Sequence, residues 1–264
     1  MTFFFHQLKN FIQNDPLSDW FSLIHKKYKH FEEDNKSSFE EEIDEKKSKY
    51  KEDFFIFLKE RQQYHFEFNL DHEQTNELIT MKKIGIFINC SLYHKNYDIL
   101  VKPDLIIHRD IFQEIFNQVN EDLPEYIVID ILYKIIHFNT DKTDILNRGN
   151  IFYHKCKMLI ASQCINKSLK KGYLFAKEYR YKDKILPKKE SIGTFLFTNE
   201  MKDKIHDALQ WRTKLSKNYD DWIVLPKPSV KELYPNMNIK TGSWANEKKL
   251  LAEEIKEITL VWNI

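Results

Sequence analysis

Glycine and proline are scarce in this chain, with 5 and 7 among 264 residues. That leaves little material for a flexible linker and favours one domain with helical elaborations over a string of modules. Cysteine is scarcer still. Cys90, Cys156 and Cys164 show no metal-ligand spacing and cannot all pair, so reduced thiols in an intracellular protein are expected. An excess of one charge is missing too: 41 Lys and Arg against 40 Asp and Glu give a formal net charge of +1. This excludes a globally basic, histone-like binder, so affinity for nucleic acid has to come from local clusters. No apolar run approaches the roughly 20 residues of a membrane span. The aromatic opening Met1–Leu8 is soon interrupted by polar residues and has no small-residue cleavage site, so neither insertion nor secretion is expected. The ten histidines contain no HExxH or paired-ligand spacing, and there is no internal repeat. What remains is an ordinary globular balance, 42% hydrophobic and 31% charged.

Residues 1–80 read as helical. Phe4, Leu8, Phe11 and Ile12, then Trp20, Leu23 and Ile24 behind Asp15 and Ser18, fall at helix spacing. Ser38 with Glu41 looks like a capping box for a helix running through Lys59, and the charge run Glu40–Asp53 reads as its solvated face. Asp71 with Gln74 marks another helix start, ending near Lys83. The pattern then changes to short β-branched and aromatic runs at Ile84–Leu92, Ile99–Ile107, Tyr126–Tyr133, Tyr173–Tyr179 and Thr194–Thr198. Lys95-Asn96 makes the first two a hairpin. Ile111–Val119 and Phe152–Leu169 have helical periodicity, and residues 201–264 return to a helical and irregular mixture. The expected architecture is α/β, a central mixed sheet flanked by helices: an N-terminal helical part (1–80), a core (81–200) and a C-terminal extension (201–264) within a single domain.

Two of the strands each carry a lone carboxylate among apolar neighbours: Val101-Lys102-Pro103-Asp104-Leu105-Ile106-Ile107 and Tyr126-Ile127-Val128-Ile129-Asp130-Ile131-Leu132. A buried carboxylate is costly unless it meets a cation, a hydrogen-bond network or water. Brought together at a sheet end, the two would suit Mg²⁺, with Mn²⁺ as a substitute, because Mg²⁺ typically binds one or two carboxylates plus waters and phosphate. The alternative is two strand-end aspartates capping neighbouring turns.

Pro103-Asp104 followed by Asp130 resembles the core motif of the PD-(D/E)XK nuclease superfamily, in the RecB-type exonuclease branch of virus-encoded proteins. The likeness extends through Ile145-Leu146-Asn147, Lys155–Leu169, Gly172–Tyr181, Glu232–Met237 and Glu257–Asn263, covering roughly residues 75–264. It implies a restriction-endonuclease-like core and metal-dependent hydrolysis of DNA, with Asp104 and Asp130 as metal ligands. The lysine that the family places two residues after the second acid is Leu132 here. The helix position where the family commonly has Gln followed by an aromatic is Lys157, then Ala161. Lys134, on the same strand face about 7 Å further along, and Lys157, on the helix, are the candidate replacements. Loss of catalysis, leaving a module that binds nucleic acid or a protein, is the alternative. An acid from the N-terminal helices often completes such a site, and Glu41 is the candidate, with helix capping as its other role. The resembling proteins continue past Leu260–Ile264, which implies further domains in a longer polypeptide.

Arg148, Lys155, Lys157, Lys167, Lys170, Lys171, Lys177, Arg180 and Lys182 cluster after the core motif, interleaved with Tyr153, Tyr173, Tyr179 and Tyr181. Lysines hold phosphates and tyrosines stack on bases, which suits a single strand or a frayed DNA end. Solubilising lysines and core-filling tyrosines are the alternative. His108 beside Arg109 is a further candidate phosphate contact, or a turn residue.

Overall fold

The computed structural model describes residues 2–28, 32–61, 63–116, 123–140, 144–166, 168–182, 184–186, 192–239 and 242–256. The chain forms two compact units, one from residues 1–7 with 43–202 and the other from 8–42 with 203–264. The chain passes between them three times, after residues 7, 42 and 202. The architecture is α/β, with a mixed seven-stranded sheet, a three-stranded sheet and flanking helices.

In chain order the elements are β1 (Phe3–Phe4), α1 (Lys9–Ile12), α2 (Pro16–Tyr28), α3 (Ser38–Lys59), β2 (Phe66–Phe68), α4 (His72–Thr80), β3 (Ile86–Ile88), β4 (Leu92–His94), β5 (Ile99–Val101), β6 (Leu105–His108), α5 (Arg109–Phe116), β7 (Tyr126–His137), α6 (Ile151–Ile165), β8 (Lys171–Tyr181), β9 (Lys184–Ile185), β10 (Gly193–Leu196), α7 (Asn199–Asn218) and α8 (Ala245–Glu254). The large sheet runs β10-β8-β7-β6-β3-β2, with β9 added on β8. Strands β3, β6 and β7 pair antiparallel in sequence, and β7 pairs parallel with β8. The β7–β8 connection passes through α6, the crossover that a parallel pair requires.

The first hairpin departs from expectation. Instead of two long strands, Ile84–Leu92 and Ile99–Ile107 each divide between sheets. Their outer parts β3 and β6 pair in the large sheet, while β4 and β5 pair in the small one beside β1. The break falls at Asn89, which takes a left-handed φ of 54°, and at Pro103, which offers no amide for a ladder. The break frees Asp104 from the small sheet and delivers it to the start of β6. Two of the five expected runs therefore divide, while β7 and β8 extend to 12 and 11 residues, and β1, β2 and β9 arise outside those runs.

Helix ends follow local chemistry. Asp71 and Gln74 form a complete capping box at α4, and Asp71→Ala should cost about 0.5–2 kcal/mol in a urea melt. At α3 the box lies one residue earlier than expected: Ser37 accepts from the Glu40 amide, and Glu40 accepts from the Ser37 amide. Ser38 is already inside the helix, and a capping side chain has to sit just outside it.

The core of the first unit joins Phe54 and Leu58 of α3 to Ile86, Ile88, Leu105, Ile107, Ile127, Ile129 and Ile131 of the sheet. The second unit packs Leu17, Trp20, Phe21, Trp211, Leu215, Trp244 and Leu251 together. Inside it Lys248 is fully buried on Asp15 at 2.7 Å. Burial pushes the nearby Asp19 carboxyl up to about 6, against the pull of Arg212, Trp211 and Asn10. Because its folded value is raised, Asp19 holds a proton in the folded state that the unfolded chain has released. Its contribution therefore becomes more favourable as pH falls from about 6 towards 4. The melting temperature of the native chain relative to Asp19→Asn should rise over that window. A difference that is flat with pH would remove this assignment.

Candidate functional site

The two lone carboxylates meet. In β6–β7 the register pairs Leu105 with Ile129, and its continuation sets Asp104 opposite Asp130. Their backbones and side chains interlock. The Asp104 amide lies 3.3 Å from Asp130 Oδ1, and the Ile131 amide donates to Asp104 Oδ2 at 2.8 Å. Asp130 has no solvent exposure, and Asp104 has 7%.

Three basic side chains converge on this pair. Lys51 of α3 donates to Asp104 Oδ1 at 2.7 Å. Lys157 of α6 donates to Asp130 Oδ1 at 2.7 Å, and His154 Nδ1 lies 2.8 Å from Asp130 Oδ2. Helix periodicity supplies the arrangement on α6. Asn150, at its N-cap, and His154 and Lys157 recur at spacings of four and three, so one stripe faces the acids. The Asn150 amide lies 3.3 Å from His154 Nε2.

The electrostatics are those of a tight buried pair. Burial alone would raise the Asp130 carboxyl, but the Lys157 ammonium and the His154 donor outweigh it and hold Asp130 well below the usual carboxylate range. Burial would likewise lower Lys157, yet Asp130 and Asp104 together raise it above an ordinary lysine. At neutral pH the ion pair is therefore fully formed.

Beside the acids opens a cleft of about 340 Å³, lined by Asp44, Lys47, Ser48 and Lys51 of α3, Ile131 to Lys134 of β7, and Asn150 and His154. Lys134 reaches this cleft by a different route from the expected strand alternation. A register shift between Leu132 and Ile135 interrupts the period-two pattern, so Tyr133 and Lys134 both line the cleft. Leu132 remains buried.

Glu41 is exposed on the first turn of α3. Other candidates lie apart. Lys155 is 1% exposed. It is directed to Asp144 at 3.1 Å and to the Ile145 carbonyl, which removes it from the surface cations. Lys170 and Lys171 are exposed at the start of β8, whereas Arg180 and Lys182 stand at its far end. At about 3.3 Å per residue that separation is roughly 30 Å, so these residues form no single patch. Arg180 is also engaged with Glu178. Arg148 is exposed two residues before Asn150. Tyr153, Tyr173 and Tyr179 are buried core residues, unavailable for stacking, and Tyr181 is half-buried. His108 is the buried last residue of β6 and accepts from the Asp110 amide in the first turn of α5, so it is neither an exposed phosphate contact nor a turn residue. Lys167 and the segment Glu257–Asn263 lie outside the described residues.

Lys51 and His154 are the residues that sequence reasoning missed. His154 was accessible, being one turn before Lys157 on the same stripe. Lys51 was not, because nothing distinguishes it from the other lysines of a mixed charge run.

No family model matches the chain, and no curated protein matches it either. Among the described residues no helix is long and apolar enough to cross a membrane, and no group of three or more His, Cys, Asp or Glu side chains is arranged to hold a metal. The donor set is therefore two carboxylates. Carboxylate oxygens are the ligand type Mg²⁺ takes, usually one or two carboxylates with water and phosphate, but each of these four already has a donor, so a metal here would have to displace Lys51, Lys157 or His154.

Proposed function

We propose that this chain is a divalent-metal-dependent nuclease domain of the PD-(D/E)XK type, hydrolysing phosphodiester bonds of DNA. The observation that carries this reading is the meeting of Asp104 and Asp130 behind a cleft lined by their partners Lys51 and His154, with the Lys157 ammonium held on Asp130 at 2.7 Å. Asp104 and Asp130 would hold Mg²⁺, which when bound supplies activation of water and neutralisation of phosphate charge. The chain's own residues do the rest. Lys157 takes the place left by Leu132, fixing a positive charge at the second acid. His154 orients Asp130 from its other oxygen. Lys51 and Lys134 present cations to a phosphate entering the cleft. Fixed charges of this kind stabilise developing negative charge without reorganisation at the moment of reaction.

A second reading, a non-catalytic module on the same scaffold, is favoured by one observation. Every oxygen of both carboxylates already has a donor: Lys51, the Ile131 amide, Lys157, the Asp104 amide and His154. Cleavage of labelled single- and double-stranded DNA by the native chain, with Mg²⁺ or Mn²⁺, separates the two. The nuclease reading expects metal-dependent products that Asp104→Asn does not yield. No products from any substrate leaves the non-catalytic module.

A further inference from the structure

A second cleft, of about 420 Å³, lies on the same helix and adjoins the first. Ser48 and Lys51 line both. From there it continues along α3 past Glu52, Phe55, Ile56 and Lys59 to Phe68 of β2 and Asn89. From Asp44 to Lys59 the shared wall is roughly 22 Å of helix axis, the span of a few nucleotides of an extended strand. Its chemistry changes along its length. The acid-site end carries Lys47, Lys51 and Lys134 against Asp44. The far end mixes Glu52, Lys59 and Asn89 with apolar side chains, Ile56 49% and Phe68 40% exposed, and the Lys59 ammonium lies over the Phe68 ring, 4.5 Å from its centre. Exposed large apolar side chains are ordinary one at a time. A ring capped by a lysine in a groove that leads to an acid pair is a more specific arrangement.

We propose that the two clefts form one path for a single polynucleotide strand, with Lys51 contacting a phosphate at their junction and Phe68 stacking on a base once the Lys59 ammonium has swung from its face to a phosphate. Cations along the wall match the phosphates, and an aromatic face takes any base. A base still paired in a duplex cannot offer its face to Phe68, so the path is selective for a single strand. Lys51 suits the junction because its side chain is 37% exposed, against 15% for Lys157. It can leave Asp104 for a phosphate, whereas Lys157 stays with Asp130. The path names the substrate class of the proposed nuclease site, yet strand binding itself needs no cleavage.

The test is fluorescence anisotropy in EDTA at low salt, with labelled oligothymidylate, oligouridylate and a hairpin duplex as probes. Phe68→Ala should weaken single-strand binding at least about fivefold, and Phe68→Trp should keep it, with thermal melts confirming that each variant is folded. Lys59→Glu, on the surface, should weaken binding and reduce the salt slope by about one unit. Duplex affinity should be lower than single-strand affinity. A preference for thymidylate or uridylate supports the path in either case, and oligodeoxyuridylate as a third single-strand probe separates the effect of the sugar from that of the thymine methyl. Native chain that binds through Phe68 and Lys59 but cuts nothing keeps the path and sinks the nuclease reading. Native chain that cuts DNA while Phe68→Ala and Lys59→Glu bind normally overturns the path and leaves that reading standing. Absence of single-strand binding by the native chain overturns the path as well.

Discussion

Replacing Asp130 by Asn should destabilise the protein by about 3–5 kcal/mol, because it removes the hydrogen-bonded counter-charge of the buried Lys157 ammonium and leaves only the Asp104 charge nearby. The size of the loss comes from what stays behind. Asp130 has no solvent exposure and Lys157 is 15% exposed, so water cannot stand in for the lost partner. Lys157→Met should also destabilise, though less, because His154 and the Asp104 amide still serve Asp130. The double variant Asp130→Asn/Lys157→Met should recover much of the combined loss, since neither charge is then stranded. Urea melts of the four proteins form the cycle, and simple additivity would show that the two groups do not act as a pair. The pH dependence has a fixed sign. Asp130 is depressed when folded, so its contribution is present above the ordinary carboxylate value of 3.8 and is lost as pH falls through the depressed value. Lys157 is raised, so its contribution is present below 10.5 and is lost as pH rises through the raised value. The advantage of the native chain over the double variant should therefore be level through neutral pH and shrink in acid.

The second large effect is on turnover. Under the proposed function, Lys157→Ala should reduce single-turnover cleavage by about 10²–10³-fold, the range found when one preorganised charge-stabilising group is removed. Lys134→Ala should weaken substrate binding more than it slows the step, because Lys134 lines the cleft, whereas Lys157 is held on Asp130. Measured on folded protein below its melting point, the two variants then separate into loss of kcat and rise of KM. If Lys157→Ala turns over normally once folded, its role is structural.

What the sequence reveals of this arrangement follows the range of the interactions involved. The acids were legible because a charge inside an otherwise apolar strand is a local anomaly. Strands β7 and β8 and the helix α6 between them were legible from the change between period two and helical spacing, whereas the parallel pairing of the two strands was not read from it. The division of the first hairpin into two sheets was not, because Pro103 and the left-handed Asn89 act on pairing partners distant in sequence. The register shift after Leu132 reassigns Lys134, and no composition signal announces it. The cluster from Lys155 to Lys182 failed as a patch for a similar reason. A strand of 11 residues puts its two ends far apart, and buries alternate tyrosines, however close they look in sequence. Lys51 reaches Asp104 from 53 residues away, and only the packing of α3 against the sheet brings them together.

The central claim is that Asp104 and Asp130 form a divalent-metal site, and isothermal titration with Mn²⁺ tests it most directly. The native chain should bind Mn²⁺. Lys51→Ala should bind it more tightly, because the ammonium that competes for Asp104 Oδ1 is gone. Asp104→Asn, which keeps an acceptor for the Ile131 amide and so keeps the fold, should bind none at this site. A native chain that gives no binding heat, or an Asp104→Asn variant that binds Mn²⁺ as the native chain does, would contradict the account.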